Sequence, residues 1–196
     1  MSAFELVFAV YGLLLGLAIA EVLGGFARAL KLKRAAKPVR IGWLTPLLGV
    51  VVVLDLTNFW MVAWEAQPQI GANYVTLVAV LAIVGTYYLA ASLIFPDEPA
   101  EWPDFDDWYD RQNRLVIAGL LAANIGSWIA TIALEIVAPI PDEPVGGIGD
   151  AIEVLGGFSI LILLIALLRI KSRRWNVAAL VAIGLLLLVT GTAELF

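Results

Sequence analysis

Long apolar runs separated by short polar segments dominate this chain. A helix needs roughly 20 mostly apolar residues to cross about 30 Å of hydrocarbon. Six runs meet or approach that length: 6–30, 41–64, 73–95, 115–137, 151–170 and 175–195. Breakers lie between them at Lys31–Arg40, Gln67–Gly71, Pro96–Arg114, Pro139–Asp150 and Lys171–Arg174. Such short linkers predict neighbouring antiparallel helices. The expected fold is all-α, a compact bundle of six transmembrane helices forming one domain over residues 1–196.

Composition and charge add the solvent and the orientation. The chain is 62% hydrophobic and only 15% charged, whereas soluble domains are about a quarter charged. Lipid is therefore the expected solvent for much of the surface, and the bilayer the first partner. All 12 Lys and Arg fall on one side of a six-span arrangement. They are Arg28, Lys31, Lys33, Arg34, Lys37 and Arg40 around the first linker, Arg111 and Arg114 before the fourth span, and Arg169, Lys171, Arg173 and Arg174 around the fifth linker. The positive-inside rule makes that side cytoplasmic, so an N-out/C-out protein is expected, with both termini periplasmic in a bacterial inner membrane. Trp43, Trp102, Trp108 and Trp175 then fall near the inner interface and Trp64 near the outer one, as an aromatic belt requires. Ala18-Ile19-Ala20 resembles a signal-peptide cleavage site, but the amino end carries Glu5 and no Lys or Arg. The basic cluster follows the apolar run instead, the pattern of an uncleaved anchor.

Several chemistries are excluded. There is no Cys and no His, so disulfides, thiolate or imidazole metal sites and Ser-His or Cys-His nucleophile pairs cannot form. No H-E-x-x-H motif and no carboxylate pair at diagnostic spacing is present. No enzyme activity, cofactor or metal site is therefore expected. A net charge of −5 gives no reason to expect nucleic acid.

Small residues recur at every fourth position in two spans: Gly12, Gly16, Ala20 and Gly24 in the first, and Gly119, Ala123, Ser127 and Thr131 in the fourth. Apolar helices gain little by leaving lipid for one another, so stripes that let backbones approach are expected to hold the bundle, or a homo-oligomer, together. Gly156-Gly157, Gly184 and Gly191 are expected to serve likewise. The hexapeptide Glu-Val-Leu-Gly-Gly-Phe occurs at Glu21–Phe26 and again at Glu153–Phe158. It pairs the first span with the fifth, not the fourth, so it does not mark a three-plus-three duplication; coincidence or shared packing chemistry remains.

The carboxylates are the candidate chemistry. Asp55 sits about 4 Å from the centre of the second span at roughly 1.5 Å per residue, where an ionised carboxylate costs at least about 3 kcal/mol. No outer half of any span offers a Lys or Arg. Asp55 is therefore protonated, binds a cation, or faces water and hydroxyl or amide donors. Asn58 lies one turn away on the same side, with Thr57 close by. Glu21 lies toward the basic side of the first span. Arg28 follows on the same face but about 10 Å further along, a poor distance for a direct pair, so Glu21 is expected to meet Arg28 of a neighbouring protomer or to be neutral. Glu5, Glu65, Glu135, Asp142, Glu143, Asp150, Glu153 and Glu194 give the outer side a single sign. Such a mouth concentrates cations, although helix ends near water also tolerate acids at little cost. The ion-binding candidates are Asp55, Asn58, Glu21, Glu65, Glu135 and Glu153.

In the third linker Trp102, Phe105, Trp108 and Tyr109 recur at helical spacing among Asp104, Asp106, Asp107 and Asp110. Residues 97–114 are expected to form a short amphipathic helix on the cytoplasmic surface, capping the fourth span or docking a partner protein.

The blocks Gly12–Arg28 (GLLLGLAIAEVLGGFAR), Phe59–Glu65 (FWMVAWE) and Tyr87–Asp97 (YYLAASLIFPD), with the basic first linker, resemble an uncharacterised family of bacterial six-span inner-membrane proteins. The resemblance covers the first half of the chain and implies a bacterial inner membrane but no catalytic residue. Gly85–Ala91 (GTYYLAA) is similar to the third span of the urea and amide channels. Three function classes follow. The first is a channel or transporter for protons, cations or a small solute. The second is a non-transporting membrane subunit or scaffold that binds partner proteins. The third, an intramembrane enzyme, has the least sequence support.

Overall fold

In lipid every backbone N–H and C=O must be paired within its own segment, so apolar runs of this length are helical. The structure, a computed structural model, describes residues 3–34, 39–98, 101–139 and 147–193. Lys37, Asp142, Glu143 and Glu194 lie outside the described residues. The elements are α1 (Ala3–Lys33), α2 (Leu44–Glu65), α3 (Tyr74–Ser92), α4 (Phe105–Val137), α5 (Ile148–Leu167) and α6 (Arg173–Thr190). All 6 are long and apolar enough to cross a membrane, and no strand occurs among the described residues. The chain is an all-α, multi-pass membrane protein.

Local chemistry sets the helix ends. The Asn73 side chain accepts from Thr76 N at 2.9 Å and caps α3. The Asp104 side chain accepts from Asp106 N at 2.9 Å and caps α4. Asp106 in turn accepts from Leu44 N at 3.3 Å, serving the start of α2, where Trp43 offers no side-chain cap. Gly42, at φ 63, makes the turn into α2, and a side chain there would collide with the Asp106 carboxylate.

The third linker differs from expectation. Residues 97–114 do not form a separate surface helix, because α4 begins at Phe105 and runs on without a break for 33 residues. Phe105 and Tyr109 are fully buried. Thr45 Oγ1 donates to Phe105 O at 2.9 Å, and Tyr109 Oη donates to Asn176 Oδ1 at 3.3 Å. Trp108 Nε1 donates to Ile94 O at 3.1 Å. These aromatic positions continue the buried stripe of the span, and packing them against α2 and α6 removes more apolar surface from water than lying at the interface would. Phe105 and Tyr109 are thus not available to dock a partner.

The helices form a ring in the order α1, α3, α4, α5, α6, with α2 closing it and drawn inward to touch α4. The pairs α3–α4 and α5–α6 pack closely as sequence neighbours, but α1 and α2 do not follow chain order. α1 packs chiefly on α3, and α2 chiefly on α6, while α2 and α3 touch only slightly despite their short linker. One end of the bundle carries the Lys and Arg of the described residues, and the other carries Glu5, Glu65, Glu135, Asp150 and Glu153. The core lies toward the basic end, where Leu48, Val52, Ile117, Leu120, Leu164 and Leu180 are enclosed.

The small-residue stripes divide. On α4, Gly119 meets the Ala90 Cβ of α3 closely enough that an added methyl would stand 3.0 Å away, and Ala123 is buried. Ser127 is half-buried. On α1 the expected stripe is not the face packed within the bundle. Gly12 meets the Trp60 ring, but Gly16 faces open space and Ala20 is exposed. The buried face is instead Val7, Tyr11, Leu15, Ala18, Val22 and Ala29. Together with the buried Phe4 and Gly25, that face advances in steps of three or four residues, and strict four-residue spacing rotates away from it on a helix of about 3.6 residues per turn. The repeated Gly-Gly pairs do receive side chains. Gly25 admits the Phe95 ring, Gly156 the Thr190 side chain and Gly157 the Trp128 ring. Gly191 leaves room for Asn58 in the same way.

Leucine at Gly25 or Gly157 should therefore lower thermal stability in detergent, by about 1–3 kcal/mol or more as overpacking does. Gly16→Leu should stay within about 0.5 kcal/mol of the parent. A loss at Gly16 equal to that at Gly25 would mean that this face is covered by another chain.

Candidate functional site

α2 changes character at its middle. Toward the basic end it buries Leu44, Leu48, Val51, Val52 and Leu56, but beyond Leu56 none of its residues is buried. Asp55 sits at that boundary, 6% exposed. Its Oδ2 accepts from Tyr87 Oη of α3 at 3.0 Å and from Asn124 Nδ2 of α4 at 2.9 Å. Asn124 Nδ2 also lies 3.2 Å from Tyr87 Oη and 3.0 Å from Leu120 O. Three helices therefore meet on one carboxylate through neutral donors. Asp55 thus faces hydroxyl and amide donors, one of the three fates expected for it. Both bonds end on Oδ2, so among the described residues Oδ1 keeps its acceptor capacity.

Asp55 lines a cavity of about 390 Å³ between α2, α4, α5 and α6. Asn58, Glu65, Tyr87, Asn124, Trp128 and Glu153 share its wall, and no Lys or Arg does among the described residues. Glu65 and Glu153 are exposed and lie toward the acidic end. Glu65 is ten residues along α2 from Asp55, about 15 Å nearer that end. On the basic side the buried core replaces open space. A second cavity of about 390 Å³ lies across the α2–α4 contact, between α1, α2, α3 and α4. It is walled mainly by apolar and aromatic side chains such as Phe4, Phe8, Tyr11 and Val80. Phe59, Val62, Ser127 and Thr131 line both spaces.

Four of the six ion-binding candidates thus converge, namely Asp55, Asn58, Glu65 and Glu153. Asn58 lines the cavity while pinning α2 to α6, its Nδ2 donating to Leu187 O at 2.9 Å and Thr190 Oγ1 at 3.1 Å. Glu135 stands apart, accepting from Gln69 Nε2 at 3.1 Å, and Gln69 also holds Ala138 O at 3.0 Å. Glu21 also stands apart, and the expectation that it has no partner within its own helix is corrected. Arg28 Nη2 lies 3.2 Å from Glu21 Oε1. Helical side chains lean toward the amino end, and Gly24 leaves a bare surface along which the Arg28 guanidinium lies, so the long side chain spans the distance.

Sequence reasoning did not single out Asn124 or the role of Tyr87. The available signal was depth: each is a polar side chain well inside an apolar run, and a polar side chain at that depth must find a partner on another helix. Among the described residues no group of acidic side chains is arranged to hold a metal ion. No family model, no curated protein and no solved structure matches the chain.

The cluster predicts coupled energetics. Tyr87→Phe and Asn124→Leu each remove a donor from a buried carboxylate, a change that costs about 1–3 kcal/mol. Because Asn124 bonds both partners, the double variant should differ from the sum by about 0.5 kcal/mol or more. Unfolding of the four proteins in mixed micelles measures this, and strictly additive losses would show that the three groups do not act together.

Proposed function

We propose that the protein is a membrane transporter of protons or other cations, with Asp55 as the carboxylate that takes the cation. One observation carries this reading: a buried carboxylate on a cavity wall, held only by neutral donors. Every ionisable group facing that space is acidic or phenolic, with Glu65 on α2, Tyr87 on α3 and Glu153 on α5. α4 and α6 contribute only neutral side chains to the wall, such as Asn124 and Thr190. A cation entering from the acidic end meets a field of one sign, strengthened by low-polarity walls. The cavity stops against the core, so transport on this reading requires the helices to rearrange and does not use a standing pore.

The same reading places the acidic end in the periplasm of a bacterium, with both termini there, because all the basic residues lie at the opposite end. Alkaline phosphatase fused after Pro68 should be active and fused after Lys171 inactive; the reverse pattern would invert the orientation.

In proteoliposomes Asp55→Asn should fold normally and lose at least tenfold of the cation or proton flux, while Glu21→Gln, away from the cavity, should retain it. Undiminished, pH-dependent flux in Asp55→Asn would refute the assignment. The open face at Gly16 and Ala20 favours a second reading, a non-transporting subunit that associates with its own copies or a partner. Absence of flux under every ion condition, together with an oligomer dispersed by Gly16→Leu, would select it.

A further inference from the structure

The cavity wall carries more than carboxylates. Phe59, Tyr87 and Trp128 present aromatic rings to the same space as Asp55, Glu65 and Glu153. Trp128 is held in place, with its ring 4.6 Å from that of Phe158 and seated over Gly157. Phe59 lies 5.1 Å from the Tyr87 ring. Aromatic faces attract cations that cannot be hydrated well, and rings combined with carboxylates are the chemistry that recognises quaternary ammonium groups. A bare proton or a small metal ion makes no use of such rings. It would also not need the apolar cavity that adjoins along Phe59, Val62, Ser127 and Thr131.

We infer that the site takes a lipophilic organic cation, a quaternary ammonium or phosphonium with apolar substituents, its charge beside Asp55 and one substituent reaching past Phe59 into the apolar cavity. This rests on the cation-transport reading and names the substrate class. The size fits, because ligand pockets commonly span about 300–1,000 Å³ and each of the two spaces measures about 390 Å³. The polarity fits as well. Acids stand at the rim and at the floor of one space, while the other is walled mainly by apolar side chains. The two spaces adjoin at Phe59 and Val62 of α2 and at the small residues Ser127 and Thr131 of α4, and Ala130 lines the apolar one.

The test is equilibrium dialysis of tetraphenylphosphonium against the purified full chain in detergent, with tetramethylammonium and sodium as competitors. Saturable binding of one cation per site is expected, displaced poorly by the two small ions. Asp55→Asn and Trp128→Leu should each weaken it at least fivefold, and Trp128→Phe should restore most of the loss. Ala130→Phe, which takes up room in the apolar cavity, should weaken tetraphenylphosphonium more than it weakens tetramethylammonium. Glu21→Gln should bind as the parent does. Thermal melting of each variant identifies any that fail to fold, and the Trp128→Phe comparison then carries the test. Proton or sodium flux that depends on Asp55, with no saturable tetraphenylphosphonium binding, would overturn this inference and leave the transport reading standing. Binding indifferent to both Asp55→Asn and Trp128→Leu would also overturn it, since the cation would then sit elsewhere. Absence of both flux and binding would overturn both.

Discussion

The contact between α2 and α4 at Asp55 and Asn124 organises the bundle. A carboxylate in mid-span has no water to solvate it, and leaving it without donors costs several kcal/mol. Asn124 and Tyr87 supply those donors from α4 and α3. Meeting them draws α2 from the perimeter toward the centre, where it touches α1, α3, α4 and α6. The ring is thereby divided into two lobes, and each lobe keeps a cavity on its acidic side. Without the polar contact, α2 would gain little by leaving lipid, because lipid tails are as apolar as its own side chains.

The two ends differ in how they are tied. At the basic end, Arg173 pairs with Asp107 and Asp110 at 2.6 Å, and Arg40 with Asp104 at 3.4 Å. Exposed pairs of this kind contribute little stability singly. Those closing the core beneath them count for more: Thr45 to Phe105 O and Tyr109 to Asn176 are both buried. The acids of the third linker thus neutralise bases of their own end and brace the α4–α6 and α2–α4 junctions. The acidic end has polar ties too, such as Tyr11 Oη to Phe59 O at 2.5 Å and Gln69 to Glu135, but they leave open space between them.

The spans were legible in the sequence because they depend on composition along the chain, which hydrocarbon thickness rewards directly. The fate of Asp55 was legible only as a set of options, since depth says that donors are needed but not which helix brings them. Tyr87 and Asn124 were hidden by topology: the ring order α1, α3, α4 cannot be read from linkers that would equally allow α2 to pack on α3. The α1 stripe misled for a geometric reason. Small residues at every fourth position show where a backbone can be approached, not where it is, and at Gly16 nothing approaches. The third linker misled because amphipathicity alone does not distinguish a helix lying on a membrane from the first turns of a span that buries the same aromatic face.

The two intramembrane carboxylates met different solutions, and the contrast bears on purpose. Glu21 has Arg28 on its own helix at 3.2 Å. A full positive charge at that distance compensates the carboxylate permanently and leaves an arriving cation little to gain. Asp55 has only an amide and a phenol. These satisfy its hydrogen-bonding oxygen but carry no net charge, so an ionised Asp55 stays uncompensated and a proton or larger cation entering the cavity recovers much of the desolvation cost. A chain that places Arg28 beside Glu21 had the means to neutralise Asp55 in the same way. On the transport reading proposed above, neutral donors hold the carboxylate in position and leave it without a fixed counter-charge, which is what a cation site requires.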